Sequence, residues 1–208
     1  TPIQLSIDRL RDKYSSKLNS DSVDFEKYLE TINRQIKDIE SLVNEFSNFA
    51  RMPRPVFKQI NIVDVINRSI DFIKMSSKNT INFHTNHKRL IIKGDAEQLN
   101  RVFINLIKNS EESFLDLIKK TPNFKGKIDI EIISNNDYIV IRLTDNGTGI
   151  SDTKKVMTPY FTTKTKGTGL GLPIVSKIIN EHSGDFLIKN RKDGNGVYIE
   201  ISFPKINA

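Results

Sequence analysis

An unbroken apolar row constrains the first quarter of this chain more than any other feature. Phe25, Leu29, Ile32, Ile36, Ile39, Val43, Phe46 and Ala50 follow one another in steps of four and three. That spacing is the seam of a helix in a coiled coil or helical bundle. A shorter row, Ile3, Ile7, Leu10, Tyr14 and Leu18, precedes it at the same spacing. Between them Lys17–Ser22 has the composition of a turn, with Asp21 or Ser22 available to cap the second helix. A seam this regular on two consecutive antiparallel helices is hard to bury within one hairpin, so the pattern predicts dimerisation into a four-helix bundle. The competing expectation is a hairpin that packs only on its own globular domain. Pro53 and Pro55 then remove two backbone donors and disfavour helix in the residues before them. The division expected is a helical hairpin over 1–52, a linker over 53–58 and a second domain over 59–206.

The second domain alternates strand and helix signals. Lys58–Ile62, Ile81–Thr85 and Leu90–Lys93 have strand composition, and Asn61 or Asp64 opens a helix with Val65, Ile66, Ile70 and Ile73 inward. Gly94-Asp95 precedes a long helix bearing Leu99, Val102, Phe103, Leu106, Ile107 and Phe114. Lys127–Ile133 and Asp137–Leu143 form one expected hairpin, turning at Asn135-Asn136. Asp185–Lys189 and Val197–Phe203 form another, through Asp193–Gly196. Between the hairpins runs a helix with Pro173 in its first turn and Ile174, Val175, Ile178 and Ile179 inward, ended by His182-Ser-Gly184. The fold class expected is α+β: a helical hairpin followed by a layered α/β sandwich with paired antiparallel strands.

Composition narrows the function. With 37% hydrophobic and 27% charged residues the chain reads as soluble and globular, and no apolar run approaches bilayer length. The start, Thr1–Ser6, is no signal peptide. The absence of cysteine excludes disulfides and thiolate metal sites, and fits a reducing compartment. A net charge of +7 suits nucleic acid, an acidic partner or a phosphorylated ligand, but the lysines are scattered with no arginine-rich tract. A solvated surface accounts for them, and nucleic acid is not an expected partner.

The chemistry concentrates in Asp145-Asn-Gly-Thr-Gly-Ile150, Pro159-Tyr-Phe-Thr-Thr-Lys164 and Gly167-Thr-Gly-Leu-Gly-Leu172. The first lies at the end of an apolar strand, and an Asp there suits accepting a hydrogen bond from an exocyclic amine such as that of adenine. The last opens a helix, whose N-terminal N–H groups suit phosphate oxygens and whose glycines allow close backbone approach. Each glycine cluster alone marks only a turn, but their order and combination favour a nucleotide site. The polar segment between Ile150 and Gly167, anchored by Val156, Met157, Tyr160 and Phe161, has the character of a mobile lid. On the long helix Asn105, Lys108, Asn109 and Glu112 share one face. That face is either solvated or a magnesium and phosphate site, since amide oxygens are hard ligands and lysine is a point charge.

In order, Asn105-Leu-Ile-Lys-Asn109, Asp145-Asn-Gly-Thr-Gly149, Tyr160-Phe-Thr-Thr-Lys164 and Gly167-Thr-Gly-Leu-Gly171 resemble the N, G1, F and G2 boxes of sensor histidine kinases. Those kinases use the Bergerat ATP-binding fold shared with gyrase, chaperone and mismatch-repair ATPases. The helical hairpin resembles their dimerisation and phosphotransfer domain. Thr1–Ser6 and Glu45–Pro53 are similar to nitrogen-regulation sensors of the NtrY kind. The resemblance implies ATP and Mg²⁺ as ligands, with Asp145 accepting from the adenine amine and Gly147 and Gly149 letting the purine lie against backbone. It implies Asn109 as the magnesium ligand, Asn105 supporting the same face, and Lys108 as a further phosphate contact. Gly167, Thr168, Gly169, Leu170 and Gly171 would meet the phosphates at the helix start, and Lys164 would reach the terminal phosphate from the lid. Val197 departs from the threonine common in relatives, from which weakened affinity is expected.

The family's phosphoacceptor histidine precedes an Asn-Pro-Leu segment, which would immediately precede Thr1. It is therefore expected upstream of this chain, and the chain alone is not expected to autophosphorylate. His84, His87 and His182 read as surface or packing histidines. The partners implied are a second copy through the hairpin and the receiver domain of a response regulator. Membrane association is implied only through upstream segments, making this a cytoplasmic portion of an anchored sensor. Two alternatives stay open: an ATPase of the same fold that uses ATP for dimer closure, and a non-catalytic dimerisation and regulator-docking module.

Overall fold

The computed structural model describes residues 2–15, 22–50, 52–121, 123–164 and 167–206. The chain forms two compact units, Thr1–Met52 with Lys164–Thr168, and Pro53–Thr163 with Gly169–Ala208.

In the first unit α1 (Pro2–Tyr14) and α2 (Ser22–Ala50) run antiparallel. Gln4 Nε2 donates to Asn33 Oδ1 at 2.9 Å, and Arg11 and Ser15 both reach Glu26. At that register Ile7 and Leu29 are buried. Further along the seam Ile32, Ile39, Val43 and Phe46 remain 46–57% exposed, so the hairpin leaves most of its apolar row uncovered. The expected turn and helix cap around Lys17–Asp21 lie outside the described residues.

The second unit is a mixed α/β sandwich. Its strands are β1 (Lys58–Asn61), β2 (Thr80–His84), β3 (Ile91–Gly94), β4 (Lys127–Ser134), β5 (Tyr138–Asp145), β6 (Asp185–Asn190) and β7 (Val197–Pro204). Its helices are α3 (Ile62–Lys74), α4 (Ala96–Lys120) and α5 (Gly171–Glu181). The main sheet has the order β2-β4-β5-β7-β6, and β1 pairs with β3 in a separate two-stranded ribbon. Both expected hairpins form, and β2 joins β4 in parallel, Thr80 opposite Lys127, a pairing on which the sequence reading was silent. Strict alternation along β4, β5 and β7 buries Ile128, Ile130, Ile139, Ile141, Leu143, Ile199 and Ile201 on one face. The buried stripes of α3, α4 and α5 supply the other side of the core.

Both long helices begin where the sequence offers a cap. Asn61 accepts from Val63 N–H at the start of α3, and Asp95 accepts from Glu97 and Gln98 N–H at the start of α4. Asp95 also accepts from Val56 N–H at 2.8 Å, and Gln98 Nε2 donates to Pro53 carbonyl at 2.9 Å. The segment that carries the two prolines, Pro53–Val56, is thereby tied to the front of α4. His182, at the end of α5, accepts Asp95 N–H on Nε2 at 2.9 Å and meets Ile178 carbonyl through Nδ1 at 2.8 Å. The Phe57 ring packs edge-on against it.

Candidate functional site

Asp145 closes β5, where strict alternation turns it to the buried side, and it is only 3% exposed. A carboxylate so placed must be hydrogen-bonded. Its Oδ1 accepts from Gly147 N–H at 2.9 Å and from Val197 N–H at 3.1 Å; its Oδ2 accepts from the Ser110 hydroxyl at 2.8 Å. These donors occupy three of roughly four acceptor positions on a carboxylate, leaving one on Oδ2. Val197 acts here through its backbone, which is indifferent to the side-chain difference noted in the sequence.

The glycines after Asp145 are there for reasons the sequence did not disclose. A Cβ on Gly147 would stand 1.8 Å from Ser113 Oγ, so this loop lies directly on α4. Gly149 adopts a φ of +78°, and a Cβ there would meet Asn190 Oδ1 at 3.0 Å. Ahead of α5, Gly169 has a φ of +69° and packs against the backbone of Tyr160 and Phe161, where a Cβ would come within 2.5 Å of Tyr160 C. Tyr160 itself is left-handed, at φ 68°, and its N–H donates to Gly169 carbonyl at 3.1 Å. Leu170, the N-cap residue of α5, is fully buried and makes no side-chain cap bond of its own.

Adjacent residues of α4 touch both glycine-bearing segments. Asn109 Nδ2 lies 3.8 Å from the position of a Cβ on Gly171, while Ser110 bonds Asp145 and Ser113 underlies Gly147. Asn105 and Asn109 are half-buried on this helix and Lys108 is exposed. The structure thus brings Asn109, Asp145, Gly147, Gly149, Gly169, Leu170 and Gly171 into one unit. Lys164, Gly167 and Thr168 fall in the other, where Gly167 N–H donates to Lys164 carbonyl at 3.3 Å.

Sequence reading missed Ser110, Ser113, Asn190, Arg191 and Gly196. Ser110 left a signal, because a serine on the apolar side of an amphipathic helix needs a partner. Of the histidines, His182 has both ring nitrogens engaged, and burial holds its pKa below the usual value, against the opposing effects of Ile178 carbonyl, Asp95 and Glu181. His84 lies exposed on β2 with Nε2 3.9 Å from Asp129.

Residues 94–207 match the family described as histidine kinase-, DNA gyrase B- and HSP90-like ATPases. The chain belongs to that family. Its second unit is an ATP-binding domain of the Bergerat kind typical of histidine protein kinases. The chain is similar to the putative sensor histidine kinase NtrY-like of Rickettsia prowazekii, 38% identical over 206 residues, 98% of this chain and 33% of that protein. It is also similar to the nitrogen regulation protein NtrY of Azorhizobium caulinodans, 31% identical over 97% of this chain and 26% of that protein. Among solved structures, the catalytic domain of histidine kinase ThkA aligns with a TM-score of 0.62 at 29% identity, covering 72% of this chain and 96% of ThkA's domain. The chain spans about a third or less of the curated relatives it matches. These relatives link it to the nitrogen-regulation sensor kinases.

Proposed function

We propose that this chain is the catalytic and dimerising region of a sensor histidine kinase that binds Mg-ATP around Asp145 and passes the γ-phosphoryl group to a histidine. The observation that carries this reading is the Asp145 carboxylate: buried, fixed by three donors, and left with one acceptor position for an adenine amine. Gly147 and Gly149 border the base, and Asn109 marks the phosphate end beside the start of α5. There the backbone of Gly169, Leu170 and Gly171 meets phosphate oxygens, with Gly167 and Thr168 preceding them. Asn105 and Lys108 belong to the same polar face of α4.

Magnesium fits this set. No group of three His, Cys, Asp or Glu among the described residues is arranged to hold a metal. The Asn109 amide oxygen, nucleotide phosphates and water would complete the hard-oxygen sphere that Mg²⁺ requires. When bound, the ion neutralises charge on the transferring phosphoryl group. The protein's own work is positioning: the purine on Asp145, the phosphates at α5, the nucleophile in line.

In this reading the acceptor is a histidine of the parent protein, and the phosphoryl group then moves to an aspartate of a response regulator. Histidine kinase ThkA has been solved in complex with the response regulator TrrA, which supports a partner of that type. The uncovered row on α2 supports a second copy as the partner of the hairpin. No helix among the described residues is long and apolar enough to cross a membrane. The chain is read as the cytoplasmic portion of a sensor anchored by other segments.

The test uses γ-labelled ATP with Mg²⁺ on this chain and on the parent protein that includes its upstream sequence. Acid-labile, base-stable label in the parent alone is expected. ATP hydrolysis without label in either would favour an ATPase, and label in this chain would mean the acceptor lies within it.

A further inference from the structure

We propose that the β6–β7 hairpin is a clamp that holds the Asp145–Ile150 loop in its base-receiving form, with Asn190 and Arg191 as its positioning residues. The proposal rests on the nucleotide reading of Asp145 given above. Asn190 engages both backbone groups of one residue: its Oδ1 accepts from Ile150 N–H at 2.7 Å, and its Nδ2 donates to Ile150 carbonyl at 2.8 Å. One side chain thereby supplies the two bonds of a strand pairing at the far end of the loop. The left-handed Gly149 leaves room for it.

At the near end Arg191 Nη1 donates to the Asp145 carbonyl at 3.3 Å. Its remaining fork is held by Asp193, Nε to Oδ1 at 3.1 Å and Nη2 to Oδ2 at 2.8 Å, which fixes the direction of the guanidinium. Arg191 N–H closes the turn on Gly196 carbonyl at 3.1 Å. Gly196 then seats its Cα against the same peptide, where a Cβ would stand 2.0 Å from Asp145 O. The next residue, Val197, donates to the Asp145 carboxylate. Asn146 adds a second hold through bonds to Lys127 N–H and Lys125 carbonyl.

Gly147 and Gly149 lie between these fixed ends and contribute no side chain to hold the loop themselves. Free, such a segment would lose conformational entropy on binding a base; pinned at both ends, it has lost that entropy on folding. The clamp thus acts on affinity for the base without touching it.

The experiment measures binding of adenosine and of ATP to wild type, Asn190→Ala, Asn190→Asp, Arg191→Ala and Arg191→Lys, with amide hydrogen exchange of ligand-free protein alongside. Asn190→Ala is expected to weaken adenosine and ATP by the same factor, about tenfold for two hydrogen bonds of ordinary net strength. It should also release the Ile150 amide to fast exchange while amides in the core of β5 and β7 keep their protection. Asn190→Asp keeps the acceptor for Ile150 N–H and should fall between. Arg191→Lys retains one donor for the Asp145 carbonyl and should recover part of the loss in Arg191→Ala. Unchanged affinity in Asn190→Ala, or a loss confined to ATP and absent for adenosine, would overturn the clamp while leaving the nucleotide site standing. Fast exchange of Ile150 in wild type would overturn it without any ligand. Wild type that binds neither adenosine nor ATP would overturn the nucleotide reading and the clamp with it.

Discussion

Replacing Gly147 by alanine places a methyl group where Ser113 already stands. The new Cβ would be 1.8 Å from Ser113 Oγ, 2.9 Å from Ser113 Cβ and 3.1 Å from Asp145 Oδ1, against about 3.5–4.0 Å for an ordinary carbon contact. Rotating the Ser113 hydroxyl removes the first clash at the expense of its 2.7 Å bond to Ser110 carbonyl, but leaves the second. The loop must therefore lift from α4, stretching the Gly147 N–H bond that holds Asp145 Oδ1. Overpacking of this sort costs about 1–3 kcal/mol. If that strain falls on the loop, nucleotide affinity drops by about 5- to 150-fold. Ser113→Gly removes both obstructing atoms, at roughly 0.5 kcal/mol of helix propensity in α4. The double variant should bind nearly as wild type while unfolding at slightly lower urea; Ser113→Ala, which keeps the Cβ, should rescue only in part. Titration with ATP and urea unfolding of wild type, Gly147→Ala, and Gly147→Ala combined with Ser113→Gly or with Ser113→Ala decide it. Wild-type affinity in Gly147→Ala, or no recovery with Ser113→Gly, would show that the glycine is not required by α4.

Two further outcomes follow from the same geometry. Gly196→Ala has no side chain to push aside, since the obstruction is the Asp145 carbonyl itself and φ is +115°. A stability loss of about 3 kcal/mol or more is expected, read as a lower urea midpoint at unchanged slope. His182 supplies a pH dependence. Because burial holds its folded-state pKa below the unfolded value, the unfolded chain binds that proton more readily. The stability it contributes is fully present above about pH 6.5 and declines as pH falls further, toward its depressed folded-state pKa. Urea unfolding between pH 8 and 5 should show this decline in wild type, and His182→Leu, though less stable throughout, should lose that part of the slope. Asp95, which faces the ring, titrates below this window: burial raises its pKa, but N–H bonds from Val56, Gln98 and Glu97 and the neighbouring His182 more than offset it.

The candidate site could be proposed from the residues alone because the signals for it are local chemistry. An Asp ending an alternating strand, two glycines, and three more opening a helix are short-range signals. The spacing of Asn105 and Asn109 likewise follows from one helix. What stayed hidden depends on contacts across the chain. Nothing in Gly147 announces that its neighbour is Ser113, 34 residues earlier, and nothing in Gly196 separates a turn glycine from one seated on Asp145. The parallel pairing of β2 with β4 and the separate β1–β3 ribbon are long-range choices that alternation alone does not make. Conversely, the seam of α2 was read from sequence as a surface needing more than its own hairpin, and Ile32, Ile39, Val43 and Phe46 are left uncovered.

One helix unites these observations. From its capped start at Asp95, α4 extends 25 residues, about 37 Å at the ordinary helical rise. The front end holds the segment that carries the two prolines, through Asp95 to Val56 and Gln98 to Pro53. Some four turns later Asn109, Ser110 and Ser113 lie against the start of α5, the Asp145 carboxylate and Gly147. Each of those contacts lies on a side of the helix that a rotation of one residue, about 100°, would take away. The register of α4 is fixed in turn by a buried stripe from Leu99 to Phe114 and by the Ser69–Asn100 bond to α3. The precision of the proposed nucleotide site is therefore a property of the core: the same packing that keeps Leu106 and Ile107 dry aims Ser110 at Asp145.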